Sequence, residues 1–166
     1  SSDLPARLAG SDDAVAIEST TFHSCVLRAG GRLSCFGDSD GLSLGAPRPQ
    51  GATFVDPPGL RGVTSFSLGS SHACVVHDGG AIACFGNGSH GQLGDGAAPA
   101  PNAAKRTHIP EVIRGIFPEP DGDEPDTALP YAWTIGVVSS VRGVARARSV
   151  AVGSTFSCAL TDAGVQ

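Results

Sequence analysis

Residues 69–96 read GSSHACVVHDGGAIACFGNGSHGQLGDG, and residues 22–37 carry a second version of the same line, FHSCVLRAGGRLSCFG. Aligned on Cys25 and Cys74, the two stand 49 residues apart, and each runs on to a Leu-Gly pair at the same distance, Leu44-Gly45 and Leu93-Gly94. A third copy, TFSCALTDAGVQ, occupies residues 155–166. A short apolar alternation precedes each copy, at Val15–Ile17, Phe66–Leu68 and Val150–Val152. A unit recurring at such a period is one supersecondary element that buries its apolar face against its neighbours. Cys74 and Cys158 lie 84 residues apart, so about 35 extra residues are inserted between the second and third copies, within about Ala97 to Ser140.

Each copy reads as a β-hairpin. In the first, Cys25 and Leu27 alternate with Ser24, Val26 and Arg28, the period of a strand. The link Ala29-Gly30-Gly31 supplies the positive φ that a tight turn needs. Centring the turn on Gly30 sets Cys25 opposite Cys35 and Leu27 opposite Leu33. The second copy, read independently, sets Cys74 opposite Cys84 and Val76 opposite Ile82. Directly opposed residues at non-hydrogen-bonded sites are about 4.5 Å apart at Cα, within reach of a disulfide. Bridges Cys25–Cys35 and Cys74–Cys84 are therefore predicted, the alternative being buried free thiols. A metal site fits the ten-residue spacing poorly. By the same register Cys158 faces position 168, two beyond Gln166, so it is expected to be unpaired because the chain was cut short. Met is absent, which makes Ser1 the start of a processed chain or of a piece.

Composition narrows the function classes. The 166 residues are 40% apolar, enough for a core, and carry 11 basic against 16 acidic side chains, a net charge of −5. A nucleic-acid binder needs a basic footprint, which this balance does not supply. No apolar run approaches the roughly 18 residues of a membrane span. Gly (23) and Pro (12) dominate over aromatics (5%), the balance of a chain of turns and short strands.

The pattern of an apolar strand, G-x-x-H-x-C, a Gly-Gly turn, a second Cys and then G-Q-L-G resembles the repeat of the regulator of chromosome condensation family, most of all its bacterial branch, whose repeats often carry paired Cys. Gly69–Gly96 follows the family pattern most closely. The first copy has Thr20 for the leading Gly and GLSLG for HGQLG, and the third has Phe156 for His. Phe36 and Phe85 stand where the family usually has Trp. The resemblance implies an all-β fold, a partial β-propeller of about two and a half to three four-stranded blades. Propellers close with roughly four to eight blades, so these would belong to a larger ring of about seven. It divides the chain into a first repeat at 1–50, a second at 51–96, a Pro-rich inserted arm at 97–140 and the start of a third repeat at 141–166. The nucleotide-exchange activity of the family's eukaryotic member does not carry over, because none of its functional residues can be matched here.

The inserted segment holds seven of the 12 prolines together with the only Lys, Tyr and Trp. Ile109–Phe117 and Tyr131–Val138 are expected strands flanking an acidic, turn-rich tip. Phe117, Tyr131 and Trp133 are candidate partner-binding anchors, since large rings dominate interface energy. They equally suit packing of the arm on the blades. Asp121, Asp123, Glu124 and Asp126 are a weak candidate for Ca²⁺, lacking the twelve-residue loop and its closing Glu. His23 and His72 share one repeat position, which points to blade building, such as a bond to a neighbouring strand, and not to catalysis. No G-x-S-x-G elbow, P-loop or H-E-x-x-H occurs, and Ser24 and Ser157 have no base in view.

The sequence thus reads as a non-enzymatic, exported module with no cofactor, secreted, periplasmic or on the cell surface, where disulfides persist. Its expected partners are proteins and the remaining blades of the same chain, with no nucleic acid and no membrane span. Two concrete forms are a structural subunit of a cell-envelope or extracellular complex, and an inhibitor of an extracellular enzyme. An enzyme or calcium-binding protein, with its site on the acidic tip or outside this segment, is the remaining alternative.

Overall fold

Strands form where the repeats place alternating apolar residues between glycine turns. The computed structural model describes residues 7–37, 53–57, 59–88, 90–96 and 139–166. In chain order the strands are β1 (Ala14–Ser19), β2 (His23–Arg28), β3 (Leu33–Gly37), β4 (Ser65–Leu68), β5 (His72–His77), β6 (Ala81–Gly86), β7 (Ser139–Ser140), β8 (Ala147–Val152), β9 (Ser157–Thr161) and β10 (Gly164–Val165). They build three antiparallel sheets in the orders β1-β2-β3, β4-β5-β6-β7 and β8-β9-β10. The described residues contain no helix. Each sheet is one repeat, with the apolar alternation as its first strand and the Cys hairpin as its second and third.

The outer edge of the first and second sheets comes from the segment leading to the next repeat. Val55 closes on Cys35 with two backbone hydrogen bonds of 2.7 Å. Ser139–Ser140 do the same for β6, pairing with Cys84 and Ala83. Residues that the sequence reading assigns to the inserted arm therefore end as the fourth strand of the second sheet. The rest of that arm, including Phe117, Asp121, Asp123, Glu124, Asp126, Tyr131 and Trp133, lies outside the described residues, as does Leu44-Gly45.

The hairpin register is the one the turns predict. Cys25 faces Cys35 and Cys74 faces Cys84, with Cα atoms 4.0 and 4.1 Å apart, and both pairs are disulfides. The third hairpin differs. Leu160 pairs with Val165 and Thr161 with Gly164, leaving a two-residue turn, Asp162-Ala163. This carries the position opposite Cys158 to the one directly after Gln166, one step short of that expected. Ala163 stands where the second copy has Gly79, at φ +77°, and the first has Gly30. Cys158 is a free, half-buried thiol.

The cores sit between sheets. Because a strand points alternate side chains to opposite faces, β5 serves two cores at once, and its run HACVVH is buried from His72 to Val76. Ala73 and Val75, with Phe66, Ala83 and Phe85, pack against Cys25, Leu27, Leu33 and Cys35 of the first sheet. Cys74, Val76, Ile82 and Cys84 pack against Ala147, Val150 and Ala159 of the third.

Backbone contacts repeat across both junctions. The Val63 N–H donates to the Gly31 carbonyl (2.9 Å), and at the same repeat position the Ala147 N–H donates to Gly80 (3.0 Å). Glu18 accepts the Leu68 N–H at 2.8 Å, and Ser67, its counterpart, accepts the Val152 N–H at 3.3 Å. Gly80 has φ +110°, and a Cβ there would lie 2.7 Å from the Arg146 Cα. Gly80→Ala is expected to destabilise by about 2 kcal/mol or more, read as a lower urea midpoint. An unchanged midpoint would remove this contact from the account of the junction.

Candidate functional site

The junction of the second and third sheets holds buried polar contacts that tie two repeats together. His72 is fully buried because β5 is covered on both faces. Its Nε2 lies 2.9 Å from Ser157 Oγ on β9, and that hydroxyl is 3.1 Å from the Gln92 carbonyl. A carbonyl only accepts, so Ser157 donates to Gln92 and His72 donates Nε2–H to Ser157. His72 Nδ1 is then the unprotonated nitrogen, buried without a partner.

Sequence reading finds no base for Ser157, and the structure corrects that by bringing His72 to it. The polarity is nonetheless the reverse of a nucleophile and its base. The ring nitrogen facing the hydroxyl already carries a proton, and no carboxylate orients the other. The contact ties β5, β9 and the 90–94 loop together. The bond from His72 to a neighbouring sheet is the role its repeat position suggests.

Burial pushes the His72 pKa below 6.5, opposed by the Phe156 carbonyl. The unfolded chain therefore takes up a proton below pH 6.5 before the folded chain does. Stability from this group is complete above pH 6.5 and falls as the pH drops from there toward the folded pKa. His72→Gln keeps a donor and removes the titration. It is expected to flatten the stability profile below pH 6.5, by at most about 1.4 kcal/mol per pH unit, one proton's worth. Parallel pH–urea titrations of the two proteins test this, and superimposable slopes would refute it.

Beside this contact a cleft of about 310 Å³ opens between the two sheets, walled by the Cys74–Cys84 bridge, Ile82, Leu93 and Val150, with Phe156 and Ser157 at β9. The outer face of the first sheet is finished differently. Arg28, 6% exposed, pairs with Asp13 and donates to Ser34 Oγ at 2.8 Å and to the Gly10 carbonyl at 2.7 Å. Ser34 in turn donates to Asp56. The guanidinium lies 4.6 Å over the Phe54 ring, which meets Phe36 edge-on at 5.2 Å. The Arg28 guanidinium holds the Asp13 carboxyl below its usual range. Sequence reading missed Asp13, Arg28, Phe54, Asp56 and Gln92. Their one signal is that Arg28 and Ser34 are polar at positions alternation assigns to a face, where the second copy has His77 and Ala83.

Among the described residues, no group of three or more His, Cys, Asp or Glu side chains is placed to hold a metal. Nor is there among them any helix long and apolar enough to cross a membrane.

Three antiparallel sheets, two of three strands and one of four, set side by side, each one repeat and each packing on the next through its faces, are blades, and the fold is a partial β-propeller. Residues 63–92, the heart of the second blade, match the model of the regulator of chromosome condensation (RCC1) repeat. Human WBSCR16 has a similar structure, with a TM-score of 0.58 and 17% identity over 90% of this chain and 31% of that one. Yeast RCC1 (Prp20), in a crystal with Kap60, gives 0.46 and 16% over 90% and 42%. Prp20p of Saccharomyces cerevisiae, described with its binding to Gsp1p and histones, gives 0.46 and 15% over 90% and 43%. The chain thus spans about a third to under half the length of these proteins. No curated protein matches it.

Proposed function

We propose that this chain is a non-enzymatic binding or assembly module of an oxidising compartment, secreted, periplasmic or at the cell surface. It presents propeller rim turns and the 97–140 segment to a protein partner, beside further blades of the same protein. The observation that carries the reading is the pair of fully buried cross-strand disulfides, which stiffen two successive blades and persist where thiols are not kept reduced. Two exposed rings support the choice of rim. Phe22 (64% exposed) and Phe156 (61%) both lie in turns between the first and second strands of their blades, hence at the same end. Exposed aromatics rimmed by polar residues are the usual anchors of protein contacts.

The test uses the chain immobilised and exposed to envelope and extracellular fractions, followed by titration of the captured protein. A saturable complex weakened about tenfold or more by Phe22→Ser with Phe156→Ser, or by Tyr131→Ala with Trp133→Ala, is expected. Absence of any saturable complex, or one indifferent to all four substitutions, would overturn the reading. Alkylation of the native protein tests the compartment: one thiol, Cys158, is expected to react before reduction and all five after it.

A further inference from the structure

The imidazole that ties the second and third blades together has a partner for one proton only. His72 donates Nε2–H to Ser157 Oγ at 2.9 Å, and Ser157 donates to the Gln92 carbonyl at 3.1 Å. Nδ1 is buried with no partner. The Phe156 carbonyl, just before Ser157 in the chain, already accepts the Gly153 N–H at 2.9 Å.

The ionisable groups around the ring offer no substitute. β4 and β6, on either side of β5, carry none apart from the bridged Cys84. β8 brings Arg148, which is held by Asp162; β9 brings the Cys158 thiol; and the loop after β6 brings His90 and Asp95. On the side of the first sheet stand His23, Arg28 with its Asp13 partner, and Glu18, which accepts the Leu68 N–H. At the far end of β5, His77 pairs with Asp78. None of these carboxylates is bonded to the His72 ring. A second proton there is a buried charge with no acceptor, and the ring sheds that cost only by reaching water.

Ring and water are separated by what Ser157 holds. Gln92 and Leu93 lie on the loop that the hydroxyl ties down, and Leu93 packs in the second core with Cys74, Val76 and Ile82. The first junction lacks this tie, because Ala73 stands in the place of Ser157 and offers no hydroxyl. We propose that acid parts the second and third blades: proton uptake by His72 releases β9 and the 90–94 loop from β5, while the first two hairpins stay closed by their disulfides. One contact between blades thereby answers to the pH outside the protein. The proposal goes beyond the rim-binding reading and stands without it.

Hydrogen exchange of the whole chain at pH 7 and pH 5.5, corrected for intrinsic rates, reads the opening. The junction reports through the amides of Ala147, bonded to Gly80, and Val152, bonded to Ser67. Cys35 and Val55, bonded to each other in the first blade, are the reference. Because burial holds the His72 pKa below 6.5, its release raises the open population by up to about eightfold between these two pH values. A several-fold loss of protection is expected at Ala147 and Val152, with none at Cys35 and Val55 and none at any of the four in His72→Gln. His72→Phe, after the ring that the third copy carries at this position, is the second non-titrating variant should the first not fold. Unchanged protection at Ala147 and Val152 would overturn the proposal. So would an equal loss at the reference amides, which is unfolding of the whole chain, or a loss that persists in the variant, which would belong to His23 or His90.

Discussion

Loss of both bridges is expected to cost about 5 kcal/mol of unfolding free energy, the largest effect within reach of simple substitution. Each closes a loop between residues ten apart in sequence. Chain-entropy arithmetic for a loop of that size gives about 2.7 kcal/mol per bridge. Replacing Cys25 with Cys35, or Cys74 with Cys84, by alanine pairs separates the two, and urea titration of each variant reads the loss. The two losses should add to within about 0.5 kcal/mol if the bridges act independently. A shortfall at Cys74–Cys84 alone would locate residual order around the second hairpin of the unfolded chain. Unchanged midpoints in both variants would sink the view that the bridges stabilise the blades.

Phe85→Ala is expected to destabilise by about 3–5 kcal/mol, because the ring is buried and its removal leaves a cavity that two disulfide-held blades cannot close. Phe36, at the same repeat position, is half-buried and meets Phe54 edge-on, so Phe36→Ala should cost about half as much. The ratio is the test. Equal losses at the two positions would mean that the faces of the first and second blades are covered alike.

Most of the blade was legible because each clue was local and repeated. A Gly-Gly turn sets a register, the register opposes two cysteines, and a second copy says the same thing at Cys74 and Cys84. The third copy broke the extrapolation: its turn, with Ala163 at a glycine position, is one residue shorter. His72 was recognised as a blade builder from its repetition, yet its partner was not. Ser157 lies 85 residues away in the chain and reaches it only because two sheets stack. The Arg28, Asp13 and Asp56 contacts escaped for the same reason, since a surface Arg and a buried one look alike in a sequence.

What the residues determined by themselves was the strand period, the hairpin register and the disulfide partners, all consequences of backbone geometry within about fifteen residues. Tertiary structure alone decided which face of each blade meets a neighbour. It also set which way the proton points between His72 and Ser157. Those depend on contacts between segments whose separation in sequence carries no energy, and whose meeting is paid for only when the blades pack together.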